Sequence, residues 1–419
     1  MSAIKTVINR NTLQKVRMAK PNWSDSGVEQ QVYRVNIKEL HYNEENGRIA
    51  TWISTYLSDG NNPKLDTLSR EEFNNIIEGF IKKANKKEAL DALMLDIKKK
   101  TQLNPGVILT DGTIVSGNRR FTALRNLYEI DHDEKYEYFE CFVIDAPDTK
   151  EKLEFVKLIE TKTQFSVVSE EDYNSIDRLV TIYRYLIDEE TKIWSIKDYA
   201  KKIGIKEREA ENLYYRAMIM VDYLEYINKP KAFHIARIDK LDGPIAELPG
   251  LYKDLNDTID GKREWKRIRP LFYSEFPPKK SKDDSKDRTR KVRSFKNMYT
   301  KNRPEFERLL LKLYEVAEKI EERNRLGLTA HSEFRTDESG REQALTSLDS
   351  QDIENAVHAT NKLQAREKQI TKAGNALKTL NEIDYDVFPY MDEEDKDRLN
   401  SSLDELITKI NEIKNKLQK

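Results

Sequence analysis

The sequence predicts an α+β protein: a small α/β domain near the N-terminus, then an all-helical region with a helix-turn-helix and C-terminal amphipathic helices. Three observations predict it. Short alternating or apolar runs with hairpin punctuation are confined to the first 145 residues. Past Pro147 and Asp148 the apolar residues recur at spacings of three and four almost to the end. The last stretch carries Leu399, Leu403, Leu406, Ile410, Ile413 and Leu417, alternately four and three apart, which is the a/d seam of a helix that needs a partner.

Residues 1–30 are polar without a period and read as a flexible arm. The run 33–37 alternates and predicts a strand, followed by a helix or turn stretch broken at Asn46-Gly47, just before Arg48. Apolar spacing predicts helices over 69–80 and 87–98. Residues 106–109 and 113–115 read as strands joined by Asp111-Gly112, a hairpin signal. A helix over 121–127 and a strand over 138–144 complete a domain spanning 31–147. Helical periodicity over 150–161, 169–188, 195–203 and 206–228 defines a second domain at 148–240. Gly243, Pro244, Pro249 and Gly250 then interrupt the pattern. The segment 262–296 reads as a mobile basic loop, with nine Lys or Arg against three Asp between positions 279 and 296. A helix over 304–325 and a polar linker over 327–350 complete the helical region 241–350. Residues 351–419 hold an apolar helix at 353–380 and the seam helix. These two form a hairpin within the chain or join chains, as a homodimer or with a partner protein.

Composition narrows the function. The 419 residues carry a net charge of −1, so any nucleic-acid contact comes from local patches. The single cysteine, Cys141, excludes an intramolecular disulfide and lies in an apolar strand, where a buried structural thiol is expected. No run approaches 18 apolar residues and the N-terminus lacks a secretory core, so no membrane span and a cytoplasmic location are expected. None of the five histidines pairs with another His or Cys at ligand spacing, so no protein-built metal site is expected.

The strongest chemical signal is DGTIVSGNRRFTALRNL at 111–127. It places Gly117, Asn118, Arg119 and Arg120 at the mouth of a helix. Main-chain N–H groups and the positive end of the helix dipole favour an anion there. Two guanidiniums add forked contacts suited to phosphate. The second signal is a helix-turn-helix over 195–220, with Ala200 in the first helix and Gly204 in the turn. Lys197, Lys201 and Lys202 are candidate phosphate contacts, and Lys206, Arg208, Asn212, Tyr215 and Arg216 are candidate groove residues. Glu207, Glu209 and Glu211 oppose this, and a helical hairpin without a DNA role is the alternative. A third, weaker signal is the basic run 279–296 with Phe295 and nearby Tyr299.

In this order the pieces resemble the ParB-type partition proteins of the ParB/sulfiredoxin-like superfamily. SGNRRFTAL is similar to the family's Gly-(Glu/Asn)-Arg-Arg box with its downstream alanine, here Ala123. LIETKTQ and the helix after it are similar to the Glu-Asn-x-x-Arg segment, and IKELHYNEENGRI, with Arg48, is similar to the first arginine box. The resemblance covers roughly residues 33–228. It implies a nucleoside triphosphate pocket, typically for CTP with Mg²⁺, a dimer that clamps double-stranded DNA when nucleotide binds, and slow triphosphate hydrolysis. By position it implies that Gly117, Asn118, Arg119 and Arg120 hold the triphosphate with Arg48 in support. Glu160 then falls at the hydrolysis-linked, magnesium-side glutamate. Thr161 stands where the family has Asn, and Gln164 where it has Arg. Asn118 replaces the cysteine of the sulfiredoxin branch, so sulfinic-acid reduction is not expected.

The function expected is thus a nucleotide-responsive DNA-binding protein, set in plasmid or chromosome partition or in a mobile-element or defence locus. Two alternatives stay open. One is a nuclease or triphosphatase on the same fold, with Glu160 and Asp111 as the nearest carboxylates. The other is a scaffold that has lost the nucleotide and binds a partner protein through its C-terminal helices.

Overall fold

The structure is a computed structural model that describes residues 6–24, 27–166, 174–278, 285–325, 334–336, 342–344, 348 and 350–418. Its N-terminal part is built on a five-stranded sheet. The strands are β1 (Gln14–Ala19), β2 (Gln30–Asn36), β3 (Gly106–Leu109), β4 (Ile114–Ser116) and β5 (Tyr138–Ile144), in spatial order β1-β2-β5-β3-β4. β3 and β5 run parallel, with Gly106 opposite Cys141, and the other pairs are antiparallel. The sheet is mixed, as an α+β class requires.

The first correction concerns the arm. Residues expected to be flexible instead supply the edge strand β1, and Ile8 and Trp23 are buried. Both faces of β1 are largely exposed, so no apolar alternation marks it. Main-chain pairing with β2 holds it, through a register shift between Lys15 and Arg17.

Helices α1 (Ala50–Ser58), α2 (Arg70–Ala84), α3 (Lys87–Lys100) and α4 (Asn118–Asp131) accompany a core that includes Ile53, Phe73, Ile77, Ile97, Phe121, Leu124, Leu127 and Phe139. Ser69 and Glu72 form a capping box that starts α2. Buried Arg125 of α4 donates to Glu78 of α2 at 2.8 Å and to Asn75 at 2.7 Å. A smaller cluster unites Trp23, Val107, Val115 and Phe142 with Val156 and Ile159 of α5 (Lys150–Ser166). Cys141 is buried, and burial pushes its thiol well up, consistent with a structural residue.

The chain continues with α6 (Ser175–Leu186), α7 (Ile196–Ile203), α8 (Glu207–Tyr226), α9 (Phe233–Ile238), α10 (Asp242–Ala246), α11 (Pro249–Asn256), α12 (Ile259–Tyr273), α13 (Ser285–Lys301) and α14 (Arg303–Arg325). Residues 169–173 of the helix expected over 169–188 lie outside the described residues, as do 279–284 and most of the linker 327–350. Two short strands within the segment expected to be a linker, β6 (Phe334–Thr336) and β7 (Glu342–Ala344), pair antiparallel.

The second correction concerns the basic loop. Most of 262–296 is helix, and Trp265, Ile268, Phe272, Val292, Phe295 and Met298 are core residues. Dense Lys and Arg hid their three- and four-residue spacing. Phe295 is therefore unavailable as a nucleic-acid contact. Asp222 of α8 ties this region together by accepting from Trp265 Nε1 at 2.9 Å and Tyr273 Oη at 2.5 Å.

α1 joins the sheet domain to the helices. Asp177 of α6 is buried; its Oδ1 accepts from the Thr51 N–H at 3.0 Å, and its Oδ2 pairs with Arg237 of α9 at 3.3 Å. The Arg237 guanidinium lies 4.5 Å from the centre of the Trp52 ring.

Residues 355–419 form a separate unit. It holds most of α15 (Ser350–Asn381), a 3-10 turn over Tyr385–Tyr390 and α16 (Glu393–Leu417). Among the described residues the two helices make no extended interface with each other.

Two stability predictions follow from these buried charges. Arg125→Ala leaves Glu78 with Lys82 at 2.7 Å as its remaining ion partner, and urea unfolding should show a loss of about 3 kcal/mol. A change below about 0.5 kcal/mol, ordinary for a surface site, contradicts the network. Burial pushes the Asp177 carboxyl up to about 6 despite the Thr51 N–H and Arg237. The folded state thus holds that proton to higher pH than the unfolded chain, whose value is about 3.9. Asp177 is least costly below that value and weakens the fold as pH rises toward 6. Between pH 4 and 7 wild type should lose on the order of 2–3 kcal/mol relative to Asp177→Asn. A pH-independent gap between their urea midpoints would show that the carboxyl is not perturbed.

Candidate functional site

The site is built by one continuous stretch of chain. β3 ends in a turn where Asp111 Oδ1 accepts from the Thr113 N–H at 3.1 Å and its hydroxyl at 2.7 Å. Gly112 takes a φ of +87°, and a Cβ there would meet the Glu39 carbonyl oxygen at 2.7 Å. β4 returns along β3 and delivers Gly117, whose φ of +98° starts α4. A Cβ on Gly117 would lie 2.9 Å from Phe139 Cζ and 3.2 Å from an Arg120 terminal nitrogen. The glycine thus lets main chain, aromatic ring and guanidinium share one small space. α4 has no capping side chain and no acid in its first turn, so its positive end is left to another anion.

That end opens on a cavity of about 510 Å³. Gly117, Asn118, Arg119, Arg120 and Arg48 all line it. Arg120 is mostly buried, and burial followed by repulsion from Arg119 pulls its guanidinium down to about 10. It stays charged at neutral pH at an energetic cost. One terminal nitrogen donates to the Pro105 carbonyl at 3.4 Å, while Nε finds no acceptor among the described residues. Asn118 Oδ1 is likewise buried without a donor. Arg48 sits on a 3-10 turn (Gly47–Ile49) that begins when Asn46 Oδ1 accepts the Arg48 N–H at 3.1 Å.

The cavity also draws on residues that sequence reading missed. Lys20 and Asn22 reach it from beyond β1, Thr163 from α5, and Ile81, Leu93, Asp96 and Ile97 from α2 and α3. Only tertiary packing assembles these. Asp96 is the one carboxylate among the described lining residues, and Lys100 neutralises it at 2.9 Å.

The α5 residues divide differently. Glu160 and Thr161 are buried but do not line the cavity. Glu160 accepts from Tyr185 Oη at 3.3 Å and faces Lys157 Nζ at 3.5 Å. Lys157 also pairs with Glu45; burial opposes its charge, but Glu160 and Glu45 outweigh that and hold the ammonium above its usual range. The Thr161 hydroxyl donates back to the Lys157 carbonyl at 2.6 Å. Asp111 serves its own turn and also lies outside the cavity. The side chain of Gln164 lies outside the described residues. Among the described residues no group of three or more His, Cys, Asp or Glu is placed to hold a metal.

No family model matches the sequence, and no curated protein matches it. Among solved structures the chain is similar to a Pnob8-like ParB-N domain in its C2221 form. The match has a TM-score of 0.27 and 13% identity, and covers 58% of this chain and 97% of that one. At so low a superposition score the likeness adds nothing to the site assignment.

The second candidate surface is the α7–α8 pair. Gly204 takes a φ of +79° and closes α7 by donating to the Ala200 carbonyl at 2.9 Å. Ala200, Ala210 and Leu213 are buried between the helices and their neighbours. Lys197, Lys201, Lys206, Arg208 and Asn212 are exposed. Lys202 is half-buried, with its ammonium 5.7 Å from the centre of the Trp194 ring. Tyr215 and Arg216 are half-buried too, Tyr215 against Tyr252 and Arg216 in an ion pair with Asp242. The exposed cations therefore sit on α7 and at the start of α8. No described helix is long and apolar enough to cross a membrane.

The cavity makes a direct demand on Gly117. Gly117→Ala should cost about 1–3 kcal/mol in urea unfolding, because alanine is strained at that φ and pushes on Phe139. A neutral substitution would show that the tight approach is not required.

Proposed function

We propose that this protein binds a nucleoside triphosphate, CTP by preference, at the mouth of α4, and that this binding governs its grip on double-stranded DNA. One observation carries the reading: Arg120, largely buried, has neither a carboxylate partner nor an acceptor for its Nε among the described residues, and faces a cavity at an uncapped helix start. A polyphosphate supplies the charge and acceptors that this corner lacks. The order of sequence motifs supports the nucleotide and the DNA, and suggests a dimer working in partition or in a mobile-element or defence locus.

In this reading Gly117 lets phosphate approach the main chain, while Arg119, Arg120 and Arg48 neutralise it. Lys20, Asn22 and the apolar wall of α2 and α3 line the rest of the cavity. The donor set fits a triphosphate. It does not offer a magnesium ligand beyond Asp96, which Lys100 occupies. Glu160 lies outside the cavity lining, so the geometry supports binding more than hydrolysis, and no cluster of carboxylates suited to a nuclease is found among the described residues. The exposed cations of α7 and early α8 are the DNA-facing set. Lys197 and Lys201, one turn apart, suit the phosphate backbone.

Thermal melting with CTP, ATP and GTP, each with and without Mg²⁺, tests the pocket. A ligand at 100 times its dissociation constant should stabilise by about 2.7 kcal/mol, and Arg120→Ala should abolish the shift. Indifference to every triphosphate would favour the scaffold reading. For DNA, the Lys197→Ala/Lys201→Ala double variant should weaken duplex binding and flatten its salt dependence by about two phosphate contacts. An unchanged slope would remove α7 from the interface.

A further inference from the structure

α3 supplies a wall of the cavity to which the phosphate contacts assign no task. Ala89, Leu93, Asp96 and Ile97 share one face of that helix and all line the cavity. Three of them are apolar. The fourth is the one carboxylate among the described lining residues. Phosphate oxygens are acceptors, so such a wall does not serve a triphosphate tail. α3 also lies between the two arginine boxes of the sequence, outside the motifs that carry the family resemblance. The carboxylate is half engaged and well placed. Lys100 Nζ meets Asp96 Oδ1 at 2.9 Å, one turn along the same helix, while Oδ2 has no partner among the described residues. The end of α3 is fixed from two sides. Buried Gln102 donates to the Glu140 carbonyl of β5 at 2.5 Å and accepts the Glu140 N–H at 3.0 Å. Lys98 pairs with Asp131 of α4 at 2.8 Å.

We propose that α3 carries the nucleobase of the bound triphosphate, and that Asp96 is the residue that selects cytosine over uracil. The proposal rests on the triphosphate reading above. Ala89, Leu93 and Ile97 cover the face of the ring, and Asp96 Oδ2 accepts the exocyclic N–H of cytosine. Uracil presents a carbonyl oxygen at that position, so two acceptors meet and the carboxylate rejects it. Lys100 neutralises Asp96 through its other oxygen, which lets a carboxylate share a cavity with a polyanion. CTP and UTP carry the same charge and differ only along one edge of the ring. Any general effect of Asp96 on phosphate binding therefore cancels in the ratio of their affinities.

Calorimetric titration of the full chain with CTP, UTP and inorganic tripolyphosphate tests it. Wild type should bind CTP roughly tenfold more tightly than UTP, the discrimination expected of one charge-assisted hydrogen bond at a half-exposed carboxylate. Asp96→Asn, whose amide can turn to meet either edge, should bring the two nucleotides within about twofold of each other. Asp96→Ala, with no hydrogen bond to offer, should do the same. Neither variant should lose affinity for tripolyphosphate, because each removes a negative charge and none of the arginines. A wild type that takes UTP as well as CTP, or a tenfold preference that survives in both variants, would overturn the proposal and leave the phosphate site standing. A chain that binds none of the three would overturn the triphosphate reading together with it.

Discussion

A guanidinium held in a largely buried corner, with no carboxylate partner among the described residues, is the constraint on which the candidate site depends. Burial and a neighbouring arginine both work against the charge of Arg120. Two other buried cations have carboxylate partners, Arg125 with Glu78 and Lys157 with Glu45 and Glu160, while buried Arg288 donates to the main-chain carbonyls of Phe276 and Asp239. The contrast matters because leaving a buried charge unpaired is costly, and a fold accepts that cost where a ligand supplies the balance. The surrounding geometry points the same way. Gly106 and Gly117 make room for Phe139, which lets the start of α4 come close to the cavity without a capping side chain.

The same architecture keeps the glutamate expected at the site out of the cavity lining. The carboxylate that the family resemblance assigns to hydrolysis lies behind the cavity wall, engaged by Tyr185 and Lys157. The hydroxyl of Thr161 is spent within its own helix. The polar side chains that line the cavity are mainly cations and amides, with Asp96 the one carboxylate among the described lining residues. α1, which follows directly from the Arg48 turn, is pinned to α6 and α9 by Thr51, Asp177 and Arg237.

Much of this was legible in the sequence because its signals are local. Asp111-Gly112 and the Gly117–Arg120 stretch mark a turn and a helix mouth within a few positions; the structure keeps both, but starts α4 at Asn118, so that the arginine pair lies inside the helix expected over 121–127. β5 spans the residues that its apolar run indicates. The helix-turn-helix declared itself through Ala200 and Gly204. What stayed hidden depends on distant parts of the chain. β1 is solvated on both faces, so only its main-chain partner reveals it. α12 and α13 bury Trp265, Phe272 and Phe295 under a surface so rich in Lys and Arg that composition suggested a loop. The cavity walls from Lys20, Asn22 and α3, and the withdrawal of Glu160 from the lining, arise only when the sheet and α5 come together.

The central claim concerns an anion, so the most direct measurement removes the base and sugar. Titration calorimetry with inorganic tripolyphosphate should show one site per chain. Its affinity should fall with added salt and vanish in Arg120→Met, which keeps the side-chain volume but not the charge. Absence of binding heat in wild type, or equal binding by the methionine variant, would contradict the account.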